Sequence, residues 1–273
     1  MWNGLKRNGL KRNGLKWNGL KWNGLKDLMA TLPRLPRYCL LCSQPGADLL
    51  CQGCEFDLPY LARHDHQCLT CALPLSVDSR YCGYCLQAPP DFERCRVLGI
   101  YDYPLDHLVH AFKYRRKLAS GRALSGLLAG LLRAEREEES EETWPELLVP
   151  VPMHWTRRLK RGFNQTELLA HDLGRALSLP VLSRVVRRPQ PTRAQQGLTR
   201  TARIHNLRHA FSLNPRTEKR LAGRRVALVD DVVTTTSTVR ALSRLMREAG
   251  ARSVEVWALA RTPESPQAHQ STQ

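Results

Sequence analysis

The sequence predicts an α/β fold built on a parallel sheet, preceded by a Cys-rich module. Short apolar runs typical of buried strands recur between residues 96 and 260, and amphipathic segments of helical period separate them. Four Cys-x-x-Cys pairs are confined to residues 39–85. Alternating strands and helices favour a parallel sheet, because each crossover helix returns the chain to the edge where the previous strand began. Ligands of such sheets bind at the carboxyl ends of the strands.

The element boundaries follow from the hydrophobic period. Apolar runs predict strands at residues 96–102, 147–152, 181–186, 226–229 and 254–260. Apolar residues three and four positions apart predict helices at residues 105–112, 120–132, 164–177 and 239–246. Asn164 and Glu167 have the spacing of a capping box, and Gly250 is expected to end the last helix. The acidic run 135–142 is expected to be a solvated helix end or a linker.

Residues 226–238 contain the most informative pattern. An apolar run leads into Asp230 and Asp231, and a hydroxyl-rich loop and an amphipathic segment follow. Hydroxyls and free N–H groups at a helix start suit a phosphate, so the predicted phosphate-binding residues are Thr234, Thr235, Thr236, Ser237 and Thr238. Paired carboxylates suit sugar hydroxyls or a metal ion, so Asp230 and Asp231 are the candidate catalytic residues. The pattern predicts a ribose 5-phosphate site; the alternative is an ordinary buried strand with a Thr-rich helix start.

Eight of the nine cysteines form Cys-x-x-Cys pairs. The predicted metal ligands are Cys39, Cys42, Cys51, Cys54, Cys68, Cys71, Cys82 and Cys85. Two such turns supply the four thiolates of a tetrahedral Zn²⁺ site, and a site with four protein ligands is structural rather than catalytic. Sequential pairing gives two zinc ribbons at residues 39–54 and 68–85, whereas crossed pairing gives an interleaved module. The remaining Cys95 is expected to pack near the first strand of the sheet.

The chain is strongly basic, with a formal net charge of +17. Its first 28 residues contain five near-copies of a unit that includes the turn-forming pair Asn-Gly. A five-residue period fits neither helix nor strand, so this segment is expected to be disordered or a start-site artefact preceding Met29; the alternative is a functional basic tail. The remaining residues are still basic, which suits phosphorylated metabolites or nucleic acid.

No apolar run approaches the roughly 18 residues of a membrane span. The first residues also lack the apolar core of a secretory signal, so a cytoplasmic protein is expected. A basic loop at residues 154–161 follows the second predicted strand. In a parallel sheet this loop lies at the same edge as the acidic pair, so Arg158 and Arg161 are candidate ligands of a diphosphate. The alternative is an exposed basic turn.

The pattern of apolar strand, Asp230-Asp231 and Thr-rich loop resembles the signature of type I phosphoribosyltransferases, with Thr236 in place of the family's Gly. That resemblance implies a parallel phosphoribosyltransferase-like sheet that binds phosphoribosyl pyrophosphate (PRPP) together with Mg²⁺. Glycine lets the backbone approach the phosphate or adopt a positive φ, which a β-branched Thr does poorly, so Thr236 is expected to weaken phosphate binding, with Ser237 and Thr238 still offering donors.

A wider resemblance rests on several motifs in combination. Besides the Cys pairs they are Val149-Pro-Val-Pro152, Arg161-Gly-Phe-Asn-Gln165, Pro191-Thr-Arg-Ala-Gln-Gln-Gly197, Arg203 with Asn206 before Ala210-Phe211, and Val229-Asp-Asp-Val-Val-Thr-Thr235. In residues 38–262 the chain resembles the ComF family, competence-associated proteins with a phosphoribosyltransferase-like domain behind a zinc module. The resemblance implies a PRPP or other ribose 5-phosphate ligand. It also implies a role in natural transformation, with single-stranded DNA and proteins of the DNA-uptake machinery as partners.

Four segments and three functional hypotheses follow. The expected segments are the repeat at 1–28, a double zinc ribbon at 37–90, a phosphoribosyltransferase-like domain at 95–262 and a disordered tail at 263–273. The leading hypothesis is a PRPP-binding, transferase-like protein linked to DNA uptake or nucleotide metabolism. The alternative is a zinc-ribbon adaptor for single-stranded DNA with a vestigial PRPP site, which would use the Arg-rich segment 184–208. The third is a PRPP sensor that alters partner or DNA binding.

Overall fold

The computed structural model describes residues 37–153, 162–187 and 211–264. Predictions for the repeat at 1–28, the basic loop at 154–161, most of the Arg-rich segment and most of the C-terminal tail lie outside these residues. The Cys-rich module begins with a short antiparallel hairpin of β1 (Arg37–Tyr38) and β2 (Pro45–Gly46). Two single-turn helices follow, α1 (Gln52–Phe56) and α2 (Gly83–Gln87), and each begins directly after a cysteine.

A four-stranded parallel sheet forms the centre of the fold, as predicted. Its strands are β3 (Cys95–Ile100), β4 (Leu147–Pro150), β7 (Arg225–Val233) and β8 (Ser253–Arg261), in the order β3-β8-β7-β4. The helices of this region are α3 (Leu105–Tyr114), α4 (Leu118–Glu138), α5 (Gln165–Leu177) and α6 (Ser237–Glu248). Strands β5 (Val186–Arg187) and β6 (Ser212–Leu213) form a separate antiparallel pair.

Two apolar cores lie on the two faces of the sheet. Val226 and Leu228 of β7 pack in one core with α6 and with the cysteines of the second half of the Cys-rich module. Ala227 and Val229 pack in the other core with α3, α4 and α5. This division follows from strand geometry, because successive side chains point to opposite faces. The Cys-rich module therefore contacts the sheet; its separation as a domain from residues 95–262 stays a prediction.

The predicted strand at residues 181–186 is wrong as a continuous element. Val181 makes one parallel bridge with Leu148 of β4, and the neighbouring Leu182 N–H donates to the Leu148 carbonyl at 2.8 Å. The backbone then turns at Arg184, which has a φ of +64°. Val186 pairs instead with β6. Both ends of the apolar run pair with strands, as predicted. The left-handed Arg184 between them directs the two ends to different strands, β4 and β6.

The predicted capping box before α5 does not form. Asn164 occupies the N-cap position, but its side chain makes no capping hydrogen bond. Its Oδ1 accepts instead from the Thr166 hydroxyl at 2.8 Å. The Thr166 hydroxyl also lies 2.7 Å from the carbonyl of Val151, which directly follows β4. These two contacts fix Thr166 between the end of β4 and the start of α5.

The acidic run after residue 135 is not simply solvated, contrary to expectation. Arg96 of β3 is only 6% exposed, and it forms ion pairs with Glu135, Glu139 and Glu255. Its guanidinium also lies 4.7 Å from the ring centre of Trp144. Buried charges of this kind need partners, because an unpaired guanidinium would lose its hydration without compensation. The run therefore ties the end of α4 to the sheet.

In the part of the chain that the structure describes, no helix is both long and apolar enough to cross a lipid bilayer.

Candidate ribose-phosphate site and metal centres

The acidic pair lies at the carboxyl end of the sheet, although within β7 rather than after it. β7 was predicted to end at Val229, but it continues to Val233 alongside β8. The neighbouring strand β4 ends at Pro150, which pairs with Val229. Asp230 and Asp231 therefore lie beyond the last residue of β4 that pairs with β7.

The two carboxylates have different surroundings. The Asp230 Oδ1 accepts the backbone N–H of Asp231 at 2.8 Å. The Asp231 Oδ1 lies 2.8 Å from the Nζ of Lys113, and both of these side chains are 13% exposed. Because adjacent strand residues point to opposite faces, Asp231 is directed towards the face covered by α3, which carries Lys113. The pair thus presents acidic oxygens on both sides of the strand end, and Lys113 compensates the charge of Asp231.

The hydroxyl-rich loop connects β7 to the start of α6. Thr234 and Thr235 are exposed, Ser237 and Thr238 are half-buried, and the Thr235 and Ser237 hydroxyls lie 3.0 Å apart. The first backbone hydrogen bond of α6 runs from the Arg240 N–H to the Thr236 carbonyl at 2.8 Å. The N–H groups of residues 237–239 precede that bond and have no acceptor within the helix, and N–H groups in this position suit an anion.

Thr236 adopts the left-handed backbone conformation, which glycine adopts readily. Its φ is +60° and its ψ is −5°, in the left-handed region that a β-branched residue enters at a cost of about 1–2 kcal/mol. The side chain is 7% exposed, and its Oγ1 accepts a hydrogen bond from the Nε–H of Arg240 at 3.0 Å. This bond fixes the strained residue to the first turn of α6.

The eight paired cysteines form two groups, and both combine neighbouring pairs. The first contains Cys39, Cys42, Cys51 and Cys54, and the second contains Cys68, Cys71, Cys82 and Cys85. In each group all four sulfur atoms lie within 4.8 Å of one another. The Sγ atoms of Cys42 and Cys51 are 3.6 Å apart, as are those of Cys71 and Cys82. Tetrahedral Zn²⁺ with Zn–S bonds of about 2.3 Å needs sulfurs about 3.8 Å apart, so both tetrads fit this ion.

The crowding of sulfur atoms separates the thiol pKa values within each tetrad. Burial would raise the pKa of Cys39, but hydrogen bonds from backbone N–H groups, including that of Cys51, lower it to about 6. Hydrogen bonding to Cys51 raises the pKa of Cys54 to about 12. In the second tetrad, hydrogen bonding with Cys68 raises the pKa of Cys71 to about 11. Closely spaced thiols thus share protons, which a divalent cation displaces when it binds.

The two tetrads differ in burial. All four cysteines of the second are buried, whereas Cys42 in the first is exposed. Cys95, outside both tetrads, is buried within β3 as expected, and burial raises the pKa of its thiol. A cavity of about 360 Å³ separates the second tetrad from the hydroxyl-rich loop. Its lining includes Cys71, Tyr84, Cys85, Thr235, Arg240 and Arg261.

Comparison with known proteins identifies the family. A family model described as "Phosphoribosyl transferase domain" matches residues 160–272. Competence protein F of Haemophilus influenzae is 36% identical over 215 residues, which cover 78% of this chain and 90% of that protein. The chain belongs to the ComF family. DNA utilization protein YhgH of Escherichia coli strain K12 is 37% identical to this ComF-family chain over 239 residues, covering 86% of the chain and all of YhgH.

Two solved structures align with part of this ComF-family protein. The glutamine PRPP amidotransferase of B. subtilis aligns with a TM-score of 0.36 and 18% identity, over 55% of this chain and 30% of that one. The purine phosphoribosyltransferase of Pyrococcus horikoshii aligns with a TM-score of 0.30 and 16% identity, over 53% and 76% of the two chains.

The structure of this ComF-family protein brings the acidic pair and the loop residues 234–238 to one end of the sheet, as the sequence predicted. Arg158 and Arg161 lie outside the described residues. Sequence reasoning missed three cations at this end: Lys113, Arg240 and Arg261. Lys113 and Arg240 belong to ordinary amphipathic helices, and Arg261 ends a predicted strand, so the pattern gave no signal for any of them.

Proposed function

We propose that this ComF-family protein is a phosphoribosyltransferase-like protein that binds PRPP with Mg²⁺ at the carboxyl end of β7. The observation that carries the proposal is the conjunction of an acidic pair at the strand end with a left-handed Thr236 at the start of α6. Sugar hydroxyls and a phosphate are the two ligand groups that these features suit. Ribose 5-phosphate carries both groups.

Each part of the ligand has a proposed set of partners. Asp230 and Asp231 accept hydrogen bonds from the ribose 2- and 3-hydroxyls. The proposed 5-phosphate partners are the side chains and backbone N–H groups of Thr234, Thr235, Thr236, Ser237 and Thr238. The diphosphate would contact Arg158 and Arg161 of the loop after β4. Lys113 supports this assignment, because it compensates one carboxylate and so reduces repulsion between the acidic pair and an anionic ligand.

The same geometry suits phosphoribosyl transfer. Displacement of pyrophosphate from C1 develops positive charge on the ribose ring, and nearby carboxylates lower the free energy of that charge. Mg²⁺, whose preferred ligands are oxygens such as those of Asp230 and Asp231, would neutralise the leaving diphosphate. The residues themselves hold the ribose hydroxyls and orient C1 towards an acceptor.

The names of the relatives support a place in DNA handling. One is Competence protein F and the other is a DNA utilization protein. The basic charge of this chain suits contact with DNA phosphates. We therefore propose that the PRPP-binding protein acts in DNA uptake during natural transformation or in the metabolism of the nucleotides that result, with single-stranded DNA and uptake proteins as partners. A cytoplasmic location fits this role. The alternative is a DNA adaptor whose PRPP site is vestigial.

Calorimetric titration of PRPP with Mg²⁺ into the zinc-loaded full chain tests the proposal. Micromolar binding is expected, and Asp230→Asn or Asp231→Asn should weaken it at least tenfold, the cost of losing a charge-assisted hydrogen bond of about 1.5–3 kcal/mol. Glu146→Gln is a matched control, because Glu146 is a carboxylate at the amino end of the same sheet, bonded to Arg225. Absence of binding to folded protein, with DNA binding retained, would instead favour the adaptor.

A further inference from the structure

The second cysteine tetrad is joined to the hydroxyl-rich loop by two arginines. Arg261, the last residue of β8, is 4% exposed. Its Nε–H donates to the Cys71 carbonyl at 2.9 Å, and its Nη2 lies 3.9 Å from the Cys71 Sγ. Its Nη1 donates to the carbonyls of Val233, at 3.1 Å, and Thr234. One buried guanidinium thus spans a metal-binding turn and the first residues of the loop.

Arg240 makes a second connection from α6. Its Nε–H donates to the Thr236 hydroxyl at 3.0 Å, and its Nη2 lies 3.6 Å from the Cys85 Sγ. Its Nη1 donates to the Ala88 carbonyl at 2.6 Å, directly after α2. Arg240 therefore connects Thr236, the residue with positive φ, to the second tetrad and to the segment that follows it.

The charge state of the tetrad determines how strongly it holds these arginines. Four thiolates around one Zn²⁺ carry net negative charge, and hydrogen bonds from a guanidinium to such sulfurs are charge-assisted. Thiols of a metal-free tetrad are only weak acceptors. Loss of the metal therefore weakens the hold on Arg240 and Arg261, and with it the restraint on Thr236 and on the Thr234 carbonyl.

The first tetrad provides an internal comparison. Among the hydrogen bonds of the described residues, none joins an arginine to a sulfur of Cys39, Cys42, Cys51 or Cys54; the Cys39 Sγ accepts from the Cys51 N–H at 3.4 Å. Two candidate metal sites with the same ligand set thus differ in their burial and in the arginine connection to the loop.

We propose that metal in the second tetrad organises the PRPP loop through Arg240 and Arg261, so that metal and PRPP bind with positive coupling. This inference rests on the proposed PRPP site. The arginines act as positioning residues: they fix Thr234 and Thr236 within the loop that carries the proposed phosphate partners. Coupling between sites is reciprocal, so bound PRPP retains the second metal as strongly as the metal tightens PRPP. Couplings of this kind amount to about 5–150-fold, and about tenfold is expected here.

The rate of zinc release to a chromogenic chelator, 4-(2-pyridylazo)resorcinol, measures the coupling without any activity assay. The full zinc-loaded chain should show two phases, and Cys42→Ser identifies the phase of the first tetrad. PRPP with excess Mg²⁺ is expected to slow release from the second tetrad about tenfold and to leave the first unchanged. Arg240→Lys and Arg261→Lys should reduce this protection. Arg244→Lys should not, because Arg244 lies one turn further along α6 and contacts Asp91.

The outcomes separate the coupling from the PRPP site itself. Calorimetry on the same sample establishes whether PRPP is bound. If PRPP binds but leaves both release rates unchanged, or slows both equally, the coupling is overturned and the proposed function stands. If PRPP does not bind to folded, zinc-loaded protein, both proposals fail. The two tetrads are compared in the unaltered chain, and Cys42→Ser serves only to assign the phases, so a misfolded lysine variant would not obscure the result.

Discussion

Restoring glycine at position 236 is expected to destabilise the protein, although glycine is the residue of the family signature. Thr236 has a φ of +60°, so glycine relieves strain of about 1–2 kcal/mol. Against this, glycine loses about 0.5–1 kcal/mol of backbone entropy on folding. It also removes the hydroxyl that accepts from Arg240 at 3.0 Å, and a hydrogen bond to a charged group contributes about 1.5–3 kcal/mol. The net expectation is a loss of about 1–2 kcal/mol.

Two further substitutions separate these contributions. Thr236→Ser keeps the hydroxyl and removes the branched methyl, so its stability should stay within about 1 kcal/mol of the original protein. Thr236→Ala keeps the unfavourable φ without the hydroxyl, so it should be the least stable, by about 2–3 kcal/mol. The expected order of stability is Thr and Ser together, then Gly, then Ala.

Thermal and urea unfolding followed by circular dichroism measure the order. For a protein of this size about 1 kcal/mol corresponds to about 2–4 °C in Tm. In an Arg240→Met background the Gly variant should become more stable than the Ser variant by roughly 0.5–1 kcal/mol, because the hydroxyl then has no guanidinium partner and the relief of strain exceeds the entropy that glycine loses. The reasoning is refuted if Thr236→Gly raises Tm, or if serine is as damaging as alanine.

Three further outcomes are expected. Lys113→Met should weaken PRPP binding about tenfold in calorimetry, because the charge of Asp231 then repels the phosphates; unchanged affinity would contradict this. Burial opposes ionisation of Glu139, but hydrogen bonds from arginines lower its pKa below the ordinary value of 4.5. The ionised Glu139 therefore stabilises the protein above pH 4.5, and this stabilisation is lost as the pH falls through the lowered pKa. Glu139→Gln should flatten the fall of Tm with acid, and an unchanged slope would count against the ion pairs. Cys82→Ser should lower the free energy of unfolding in urea by about 4 kcal/mol or more, and by more than Cys42→Ser does. The reason is that Cys82 is buried in the core beside α6, whereas Cys42 is exposed. Equal losses in the two variants would contradict this.

Most of the fold could be predicted because the pattern that distinguishes strands from helices lies within short stretches of sequence. The period of apolar residues distinguishes strand from helix, and it correctly predicted β3, β4, β7, β8 and the four long helices, although β7 extends four residues and α4 six residues beyond the predicted ends. The predictions are wrong where one side-chain hydrogen bond or one backbone angle determines the local structure. A left-handed Arg184 divided one apolar run, and Asn164 bonded Thr166 rather than forming a capping box.

The candidate site was predictable only where its residues are contiguous. Asp230, Asp231 and the Thr-rich loop follow one another in the chain, so their chemistry and their position at the strand end could be inferred together. The cations that restrain them come from distant segments. Lys113 is 118 positions from Asp231, and the hydrogen bond from Arg261 to Cys71 spans 190 positions.

The sequence by itself determined an α/β sheet, eight cysteines with the spacing of metal ligands, and an acidic pair beside a hydroxyl-rich helix start. Only the tertiary structure decided that neighbouring Cys pairs combine, that the second tetrad is buried against the sheet, and that Arg240 and Arg261 connect that tetrad to the loop. The physical reason is that periodicity encodes which face of an element is buried. The partner of a charged side chain depends instead on which elements pack together, and that arrangement is a property of the whole chain.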